Sequence, residues 1–435
     1  MNKKIFLLLL IAFIIRLTFG ITIFLYNGTS KFSDDYDYIS YARAIQKEGI
    51  LKVSNDEINR QHSDFDRDHK TTHLIGPGYP LILASLFSIF GENYLFPIIL
   101  NALLNTLLCL FIFLISIEHF NKKIAFFSLL WTTFYIYLFR FVPFLLKETL
   151  VFTLFIGTIY FLLKSRLHKN WIYVIITGFF FTYLIHTDER YFLYFPIITI
   201  TYLFYKNKKL KNRILQSLTF SILILLFMIP WTIRNYKVYN QIVILTPRTT
   251  SFTYKLLGYK KPLHSDKTSV YTNLKLTEEQ ITSISKGESI NNISERDIKI
   301  IKKSLDLGFE PYSFPIVKQW ITKFIDFYTP VRFKYSMIAS GFLLKRPWSL
   351  KHNIISLLTY GLLIPLFIIG IINGIKNKQK IILFFSFIIF VHTFLHVVLT
   401  YTVQRYRIPI DPFIIIISFY GLTNLFPRLK IEKFI

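Results

Sequence analysis

Long apolar stretches alternate with short polar ones along most of the 435-residue chain. A run of about 17 to 25 apolar residues is long enough to cross the hydrocarbon core of a bilayer as a helix. Ten stretches fit this length, near residues 5–26, 94–117, 123–141, 143–163, 170–186, 190–205, 213–231, 352–374, 380–400 and 408–426. The pattern therefore predicts an all-α polytopic membrane protein with about ten transmembrane helices.

The first apolar run follows Lys3 and Lys4, as the hydrophobic part of a signal peptide would. It is nevertheless long enough to span a membrane, and no small-residue cleavage site follows it. We expect a retained first helix. The seventh apolar run ends with the pair Pro230-Trp231, which is expected to end the seventh helix at the membrane interface.

The distribution of basic residues predicts the orientation. If the N-terminus is cytoplasmic, the cytoplasmic segments together hold 18 Lys and Arg residues against two acids, Glu118 and Glu432. Cytoplasmic loops carry such an excess of positive charge. We therefore expect both termini in the cytoplasm and the long loops on the outer side. The outer segments are 27–93, 187–189, 232–351 and 401–407.

The first outer loop contains two further helical patterns. Between residues 31 and 75 it holds nine acids and seven bases, so it is nearly neutral. Its stretch "DYDYISYARAIQKEGI" repeats Tyr, Ile and Ala at helical spacing, which predicts a short amphipathic helix on the membrane surface. The stretch "PGYPLILASLFSIFG", 77–91, is apolar but too short to cross, and predicts an interfacial or re-entrant helix.

The second long outer loop also contains two helical patterns. "SERDIKIIKKSL" opens with a capping-box-like Ser294 and Asp297, and "PIVKQWITKFIDFY" is amphipathic and stops before Pro330. The chain is thus expected to have three parts: a membrane module over 1–231, a small extracytoplasmic helical region over 232–351, and C-terminal membrane helices over 352–435.

Composition agrees with the pattern and excludes one class of function. Hydrophobic residues make up 53% of the chain, and 46 residues are Phe. The net charge of +26 would suit nucleic acid if the bases formed one stripe, but they lie in short clusters between apolar runs, so we expect no nucleic-acid partner. A single cysteine, Cys109, rules out an intramolecular disulfide.

The polar residues at the outer helix ends are the candidates for chemistry, because a charge near hydrocarbon is costly and tends to be functional. They are Asp34, Asp35, Asp37, Arg140, Lys147, Glu148, Asp188, Glu189, Arg190, Arg234, Arg405 and Arg407. Carboxylates can deprotonate a hydroxyl, and arginines can hold a phosphate with two parallel hydrogen bonds. The set suggests a phosphate-linked donor and a hydroxyl acceptor.

Several polar residues also have a simpler structural explanation. Lys147 and Glu148 are equally typical of a plain ion pair at a helix start, and Arg16, midway along the first helix, is better explained as structural support. His392 and His396 have the i, i+4 spacing of a zinc site, but residue 393 is Thr rather than the Glu of a zinc-peptidase helix. No metal site is therefore predicted, although a divalent metal remains an option.

Six motifs in a fixed order resemble the signatures of one enzyme superfamily. They are "DDYDYISYA", "GPGYPLILA", "LLKETL", "HTDERYFLYFP", "IPWTIRNYKVYN" and "QRYRIPIDP". Together they resemble the C-type glycosyltransferase (GT-C) superfamily, specifically bacterial members related to family 39 protein mannosyltransferases and aminoarabinose transferases. The resemblance implies a GT-C fold and a multi-spanning enzyme that takes a sugar from a polyprenyl phosphate and attaches it to an acceptor on the outer face.

The resemblance also implies roles for individual residues. Asp34 would be the general base of an inverting transfer, with Asp35 in support. The donor phosphate and the substrate would be contacted by Tyr79, Lys147, Glu148, Arg190, Arg234, Arg405 and Arg407. The resemblance does not indicate a particular cofactor.

The chain departs from its relatives in one motif. It has "GPGYP" where some relatives have adjacent prolines, and the large lumenal domains of eukaryotic family 39 members are not evident. This favours a bacterial glycan, lipid or teichoic-type acceptor, an undecaprenyl-phosphate donor and a bacterial cytoplasmic membrane, where membrane lipids are the other partners. Two rival functions are a transporter or flippase of a polyprenyl-linked sugar, and a polysaccharide polymerase or ligase.

Overall fold

The structure is a computed structural model. It describes residues 3–27, 33–53, 57, 75–167, 170–204, 209–240, 242, 244–245, 309–311, 316–332, 337–339, 342–344, 348–399 and 404–427. The chain divides into two compact units, one of residues 1–249 with 428–435 and one of residues 250–427. The predicted division into three parts stays a prediction.

The described part of the first unit consists of helices joined by turns, without strands. Its helices are α1 (Lys3–Asn27), α2 (Ser33–Glu48), α3 (Gly78–Phe90), α4 (Leu95–His119), α5 (Lys122–Phe134), α6 (Ile136–Phe139), α7 (Glu148–Leu167), α8 (Ile172–Thr187), α9 (Phe195–Leu203) and α10 (Leu210–Tyr239). A 3-10 helix, Glu189–Tyr194, connects α8 to α9.

The second unit combines helices with a small sheet. Its helices are α11 (Ile316–Tyr328), α12 (Leu350–Ser356), α13 (Leu363–Lys376), α14 (Lys380–Phe394) and α15 (Asp411–Leu425). A π-helical turn follows α12 and another follows α14, and two 3-10 turns precede α15. The strands β1 (Phe309–Pro311), β2 (Met337–Ala339) and β3 (Phe342–Leu344) pair antiparallel in the order β1-β3-β2, with Leu343 opposite both Glu310 and Ile338.

Within the described residues, seven helical stretches are long and apolar enough to cross a membrane. They are Lys3–Tyr26, Leu95–His119, Glu148–Leu167, Leu210–Lys237, Leu350–Lys376, Lys380–Val398 and Gln404–Leu425. The predicted spans near 123–141, 170–186 and 190–205 are also helical but are shorter or interrupted. The multi-pass membrane architecture is confirmed, and the number of ten spans stays a prediction.

The helices predicted in the outer loops are present where the structure describes them. The acidic stretch forms α2, the "GPGYP" stretch forms α3, and α11 ends at Tyr328, before Pro330. The predicted helix that begins near Ser294 lies outside the described residues.

Two helix boundaries differ from the predictions. The expectation that Pro230-Trp231 ends the seventh helix is wrong, because α10 continues through Pro230 to Tyr239. Proline is tolerated inside membrane helices, where neighbouring groups satisfy the freed backbone atoms. The apolar run near 123–141 also fails to form one helix, since the backbone leaves the helical conformation at Tyr135.

In the first unit, each long helix packs against the next. Helix α1 packs on α4, α4 on α7, α7 on α8, and α8 on α10. Helices α2 and α3 pair with each other, and α3 contacts the end of α8. This contact brings the acidic first turn of α2 and the start of α3 to the same end of the unit as the turn after α8.

Polar contacts fix α2 against α3. The Arg43 guanidinium donates to the Glu92 carboxylate at 2.7 and 2.9 Å, and Gln46 Nε2 donates to Ser88 Oγ at 3.0 Å. Burial alone would raise the pKa of Glu92, but hydrogen bonds from Arg43 and Tyr94 lower that pKa below its ordinary value. These contacts set the orientation of α2, which carries the predicted base.

Candidate functional site

The first turn of α2 carries the acidic motif. Asp34 and Asp35 are the second and third residues of this helix. The side chain of Asp34 lies outside the described part of the chain, whereas that of Asp35 is completely buried. A buried carboxylate is costly unless polar or charged groups surround it. The groups around Asp35 therefore define the candidate site.

Tyr79, in the first turn of α3, is one of these groups. Its ring packs edge to face on the ring of Tyr38, with centroids 5.4 Å apart. Burial raises the pKa of the Tyr79 hydroxyl, and the nearby polar side chain of Asn101 acts in the opposite direction. The negative charges of Asp35 and Glu148 raise this pKa further. The phenol thus stays neutral and can act as a hydrogen-bond donor in the presence of two carboxylates.

Two glycines explain how Tyr79 reaches this place. A Cβ at Gly76 would lie 2.2 Å from the carbonyl oxygen of His186, and one at Gly78 would lie 2.9 Å from both N and Cα of Thr187. Only glycine permits so close an approach of the two backbones. Tyr183 Oη donates to the Gly78 carbonyl at 2.8 Å and closes the contact.

The turn after α8 places one carboxylate between two cations. Asp188 Oδ1 accepts from Arg190 Nε at 2.7 Å, and Asp188 Oδ2 is 3.0 Å from Lys147 Nζ. Arg190 Nη2 makes a second contact with Oδ2. All three side chains are buried. Lys147, for which an ion pair with Glu148 was one explanation, thus has Asp188 as its ion-pair partner.

Glu148 lies beside this ion pair. It is the first residue of α7, where the positive end of the helix dipole stabilises a negative charge. The charges of Glu148, Asp188 and Arg190 all act on the hydroxyl of Tyr191, in the 3-10 helix. Glu148 is therefore electrostatically linked to both Tyr79 and Tyr191, and joins the acidic motif to the Asp188 ion pair.

Arg234 connects α10 to the first outer loop. Its Nη2 donates to the Val53 carbonyl at 2.5 Å, and its Nη1 donates to Asn235 Oδ1 at 3.1 Å. The guanidinium lies over the ring of Trp231, 4.8 Å from the ring centroid. Arg234 is buried. It holds the segment that follows α2.

Arg405 and Arg407 belong to the second unit. The guanidinium of Arg407 donates to Asp411 through Nε at 3.0 Å and lies over the Tyr360 ring, 3.4 Å from its centroid. Arg407 and Asp411 are completely buried. Arg405 is partly exposed, and its Nη2 donates to Tyr406 Oη at 3.2 Å. The proposed contacts of these two arginines with a donor phosphate stay predictions.

The histidine pair of α14 has protein partners in the same unit. His392 Nε2 lies 2.6 Å from the Tyr406 carbonyl oxygen, and the rings of His396 and Tyr406 are stacked with centroids 4.9 Å apart. Within the part of the chain that the structure describes, no group of three or more His, Cys, Asp or Glu side chains is arranged to hold a metal ion.

The first unit therefore brings together five of the predicted site residues: Asp35, Tyr79, Lys147, Glu148 and Arg190. Sequence reasoning missed the roles of three more. Asp188 was among the candidates for chemistry but was given no role of its own, and Tyr191 and Asn101 were not singled out. Asn101 had a usable signal, because Asn101 and Asn105 are polar residues at i, i+4 spacing inside an apolar run.

The glycine contact leads to a first prediction. Gly78→Ala is expected to destabilise the protein by about 1–3 kcal/mol, since the new methyl group meets backbone atoms that cannot rotate away. The thermal unfolding midpoint of the purified protein measures the change. Gly178→Ala is the matched control, because its Cβ would meet only the side chain of Leu223, at 3.2 Å. An equal effect of both substitutions would contradict the explanation.

A comparison with protein families gives one match. Residues 74–233 match a family described as dolichyl-phosphate-mannose-protein mannosyltransferase. The matched segment contains Tyr79, Lys147, Glu148, Asp188 and Arg190. It begins after the acidic motif and ends one residue before Arg234.

Two solved structures share the fold. The oligosaccharyltransferase of Archaeoglobus fulgidus in the apo form is 13% identical, with a TM-score of 0.56 over 99% of this chain and 52% of that chain. The oligosaccharyltransferase AglB of the same organism, in complex with an inhibitory peptide and a dolichol-phosphate, is also 13% identical, with a TM-score of 0.54 over 99% of this chain and 51% of that chain. The chain thus spans about half the length of both structures. No curated protein matches.

These comparisons agree with the motifs. The shared fold confirms the GT-C fold of a multi-pass membrane protein that the six motifs predicted, and the family match agrees with it. The bacterial family 39-like subtype stays a prediction.

Proposed function

We propose that this protein is a membrane glycosyltransferase that transfers a sugar from a polyprenyl-phosphate donor to an acceptor. The observation that carries the proposal is the buried cluster of Asp35, Tyr79, Lys147, Glu148, Asp188 and Arg190. Most of these residues lie in the segment that matches the mannosyltransferase family. The cluster combines carboxylates, which suit proton transfer, with cations, which suit a phosphate leaving group.

The reaction proposed for this cluster is an inverting transfer. The acceptor hydroxyl attacks the anomeric carbon opposite the phosphate, the carbon–oxygen bond to the phosphate breaks, and polyprenyl phosphate leaves. Asp34 takes the proton of the acceptor hydroxyl, with Asp35 beside it in the first turn of α2. Lys147 and Arg190 stabilise the charge that develops on the phosphate.

The placement of α2 explains why the base follows the first span. A polyprenyl tail keeps the donor in the bilayer, so its sugar-phosphate lies at the interface. Helix α2 begins only a few residues after the end of α1 at Asn27. The excess of Lys and Arg in the alternate loops supports an extracytoplasmic site. We propose undecaprenyl phosphate as the carrier and an outer-face glycan, lipid or protein as the acceptor.

The test compares a bacterial host with and without the protein. If the proposal holds, mass spectra of the surface glycans differ by the mass of one sugar. Purified protein, incubated with the lipid-linked sugars of the same host and with its cell-envelope fraction as the source of acceptor, releases undecaprenyl phosphate and lowers the amount of one of these sugars. Identical glycans together with no release of undecaprenyl phosphate would reject the function.

Arg234 gives a prediction within this proposal. Arg234→Lys keeps the charge but loses the forked donors, so we expect transfer to fall at least about tenfold, which corresponds to about 1.4 kcal/mol. Arg234→Ala is expected to be worse. Release of undecaprenyl phosphate by purified variants measures the effect.

A matched control lies at the other end of the same helix. Arg213 donates to the Leu203 carbonyl at 3.0 Å, and Arg213→Lys is expected to keep the parental rate. If both Arg234 variants fold and transfer at the parental rate, Arg234 does not contact the phosphate, and any contact beyond those of Lys147 and Arg190 must be sought at Arg405 or Arg407.

A further inference from the structure

The backbone between α5 and α7 is not a continuous helix. Helix α5 ends at Phe134, Tyr135 is extended, α6 has only four residues, and turns lead on to Glu148. The last carbonyl groups of a helix have no partner within it. Inside a membrane protein these groups must find partners in the protein itself, because hydrocarbon offers none.

Arg16 of α1 supplies the partners at the end of α5. Its Nη2 donates to the Thr132 carbonyl at 2.8 Å, and its Nη1 donates to the Thr133 carbonyl at 3.1 Å. Its Nε donates to Asn105 Oδ1 at 2.7 Å, and Cys109 Sγ lies 3.0 Å from Nη2. The guanidinium is completely buried. A positive charge at the C-terminal end of a helix also suits the helix dipole.

Two asparagines of α4 continue the same arrangement toward the site. Asn105 Nδ2 donates to the Leu138 carbonyl at 2.7 Å. Asn101 Nδ2 donates to the carbonyls of Val142 and Phe144 at 3.3 and 3.0 Å. Asn101 and Asn105 are four residues apart, so they lie on one face of α4.

We call Arg16, Asn105 and Asn101 the carbonyl ladder. Within the segment from Thr132 to Phe144, five backbone carbonyl groups accept hydrogen bonds from its three side chains. The segment that they hold ends at Lys147 and Glu148. Asn101 has a second connection to the site, because its side chain lies near the Tyr79 hydroxyl and lowers the pKa of that group.

We propose that the carbonyl ladder is a positioning device, which fixes residues 135–147 so that Lys147 and Glu148 stand beside Asp188 and Tyr79. Its role in transfer rests on the proposed function. The ladder residues act through the segment and do not themselves contact the donor. Loss of one rung should therefore loosen the segment and displace Lys147, while the packing of the long helices persists.

The test replaces Asn101, the rung next to the site. Asn101→Leu keeps a similar volume and removes the two donors. The control is Thr106→Val on the same helix, because Thr106 Oγ1 donates only within α4, to the Ala102 carbonyl at 2.8 Å. Full-length proteins are compared in nanodiscs, by hydrogen exchange of the amides of residues 136–144 and by binding of undecaprenyl phosphate.

We expect Asn101→Leu to speed exchange in residues 136–144 at least about tenfold, which corresponds to about 1.4 kcal/mol, the range of one or two lost hydrogen bonds. Exchange elsewhere in α4 and α7 should stay at the parental rate. Binding of undecaprenyl phosphate should weaken at least about fivefold, since Lys147 is displaced. Thr106→Val should match the parental protein in both measurements.

Asn105→Leu is a second variant that removes a rung farther from the site. It should speed exchange around Leu138 and affect binding less than Asn101→Leu does. Parental exchange in Asn101→Leu, or an equal increase along the whole chain, overturns the proposal. Faster local exchange with parental binding overturns it as well, because the segment would then have no positioning role. If the parental protein itself binds no undecaprenyl phosphate, the proposed function fails, and the exchange measurement still decides whether the ladder holds the segment.

Discussion

Asp34→Asn is expected to leave the protein in the membrane at its parental level and to lower sugar transfer at least about a hundredfold. The amide has the same shape as the carboxylate but cannot accept a proton from the acceptor hydroxyl. Removal of a general base typically costs about 10²–10⁴-fold in rate. The measurement is release of undecaprenyl phosphate by purified protein, together with the surface glycan mass spectrum of the complemented host.

Two further substitutions on α2 test whether the loss of transfer is specific to Asp34. Asp35→Asn should lower transfer less than Asp34→Asn, because Asp35 is proposed to support the base. Asp37→Asn, two residues after Asp35, should transfer at nearly the parental rate. Near-parental transfer by Asp34→Asn would contradict the assignment of the base. A larger loss with Asp35→Asn would move the role of the base to the buried carboxylate.

The positions of the helices could be predicted well from the sequence, because each depends on a local property. Apolar runs of sufficient length gave α1, α4, α7 and α10 to within a few residues at most ends. The amphipathic stretch after the first span gave α2, and the proline at residue 330 marked the end of α11. Orientation in the membrane also follows from a local count of charges, and stays a prediction.

The break at Tyr135 could not be predicted in the same way. Kinks are usually marked by proline or glycine, and the stretch from Lys122 to Val142 contains neither. The carbonyl groups around the break accept hydrogen bonds from Arg16 and Asn105, which lie in other helices and are distant in sequence. A pattern in one segment carries no information about such partners. Arg16 could be recognised as structural, but not the carbonyl groups that it binds.

In the candidate site, too, local features could be predicted from the sequence, whereas contacts between distant segments could not. Charged and polar residues at the predicted outer helix ends were the candidates from the sequence, and five of them come together in the first unit. Their pairing was not predictable. Lys147 and Glu148 are adjacent in sequence, yet Lys147 pairs with Asp188, because the turn after α8 lies against the start of α7.

Asp188→Asn is expected to cause the largest loss of stability among single substitutions in the site. Asp188 carries the carboxylate that faces both Lys147 Nζ, at 3.0 Å, and Arg190 Nε, at 2.7 Å. Removing one partner of a buried ion pair leaves an uncompensated charge and typically costs about 3–5 kcal/mol. The thermal unfolding midpoint of the purified protein measures this loss.

An exposed ion pair gives the matched control. Glu92→Gln also removes the carboxylate partner of an arginine, but the side chains of Arg43 and Glu92 are 22% and 34% exposed. Such a pair contributes about 0–1 kcal/mol, so this variant should unfold close to the parental midpoint. A similar loss of stability in both variants would show that the buried Asp188 ion pair stabilises the fold no more than the exposed pair does.

Binding of undecaprenyl phosphate to the Asp188→Asn protein then tests whether Lys147 and Arg190 contact the phosphate. Its two cations have lost their carboxylate, so a bound phosphate should compensate them better than it does in the parental protein. We expect undecaprenyl phosphate to raise the unfolding midpoint of Asp188→Asn by more than that of the parental protein, because a ligand stabilises the state that it binds. Adding Lys147→Met to Asp188→Asn should remove most of this gain. If the gain is the same in both proteins, Lys147 and Arg190 do not contact the phosphate, and their ion pair with Asp188 serves the fold alone.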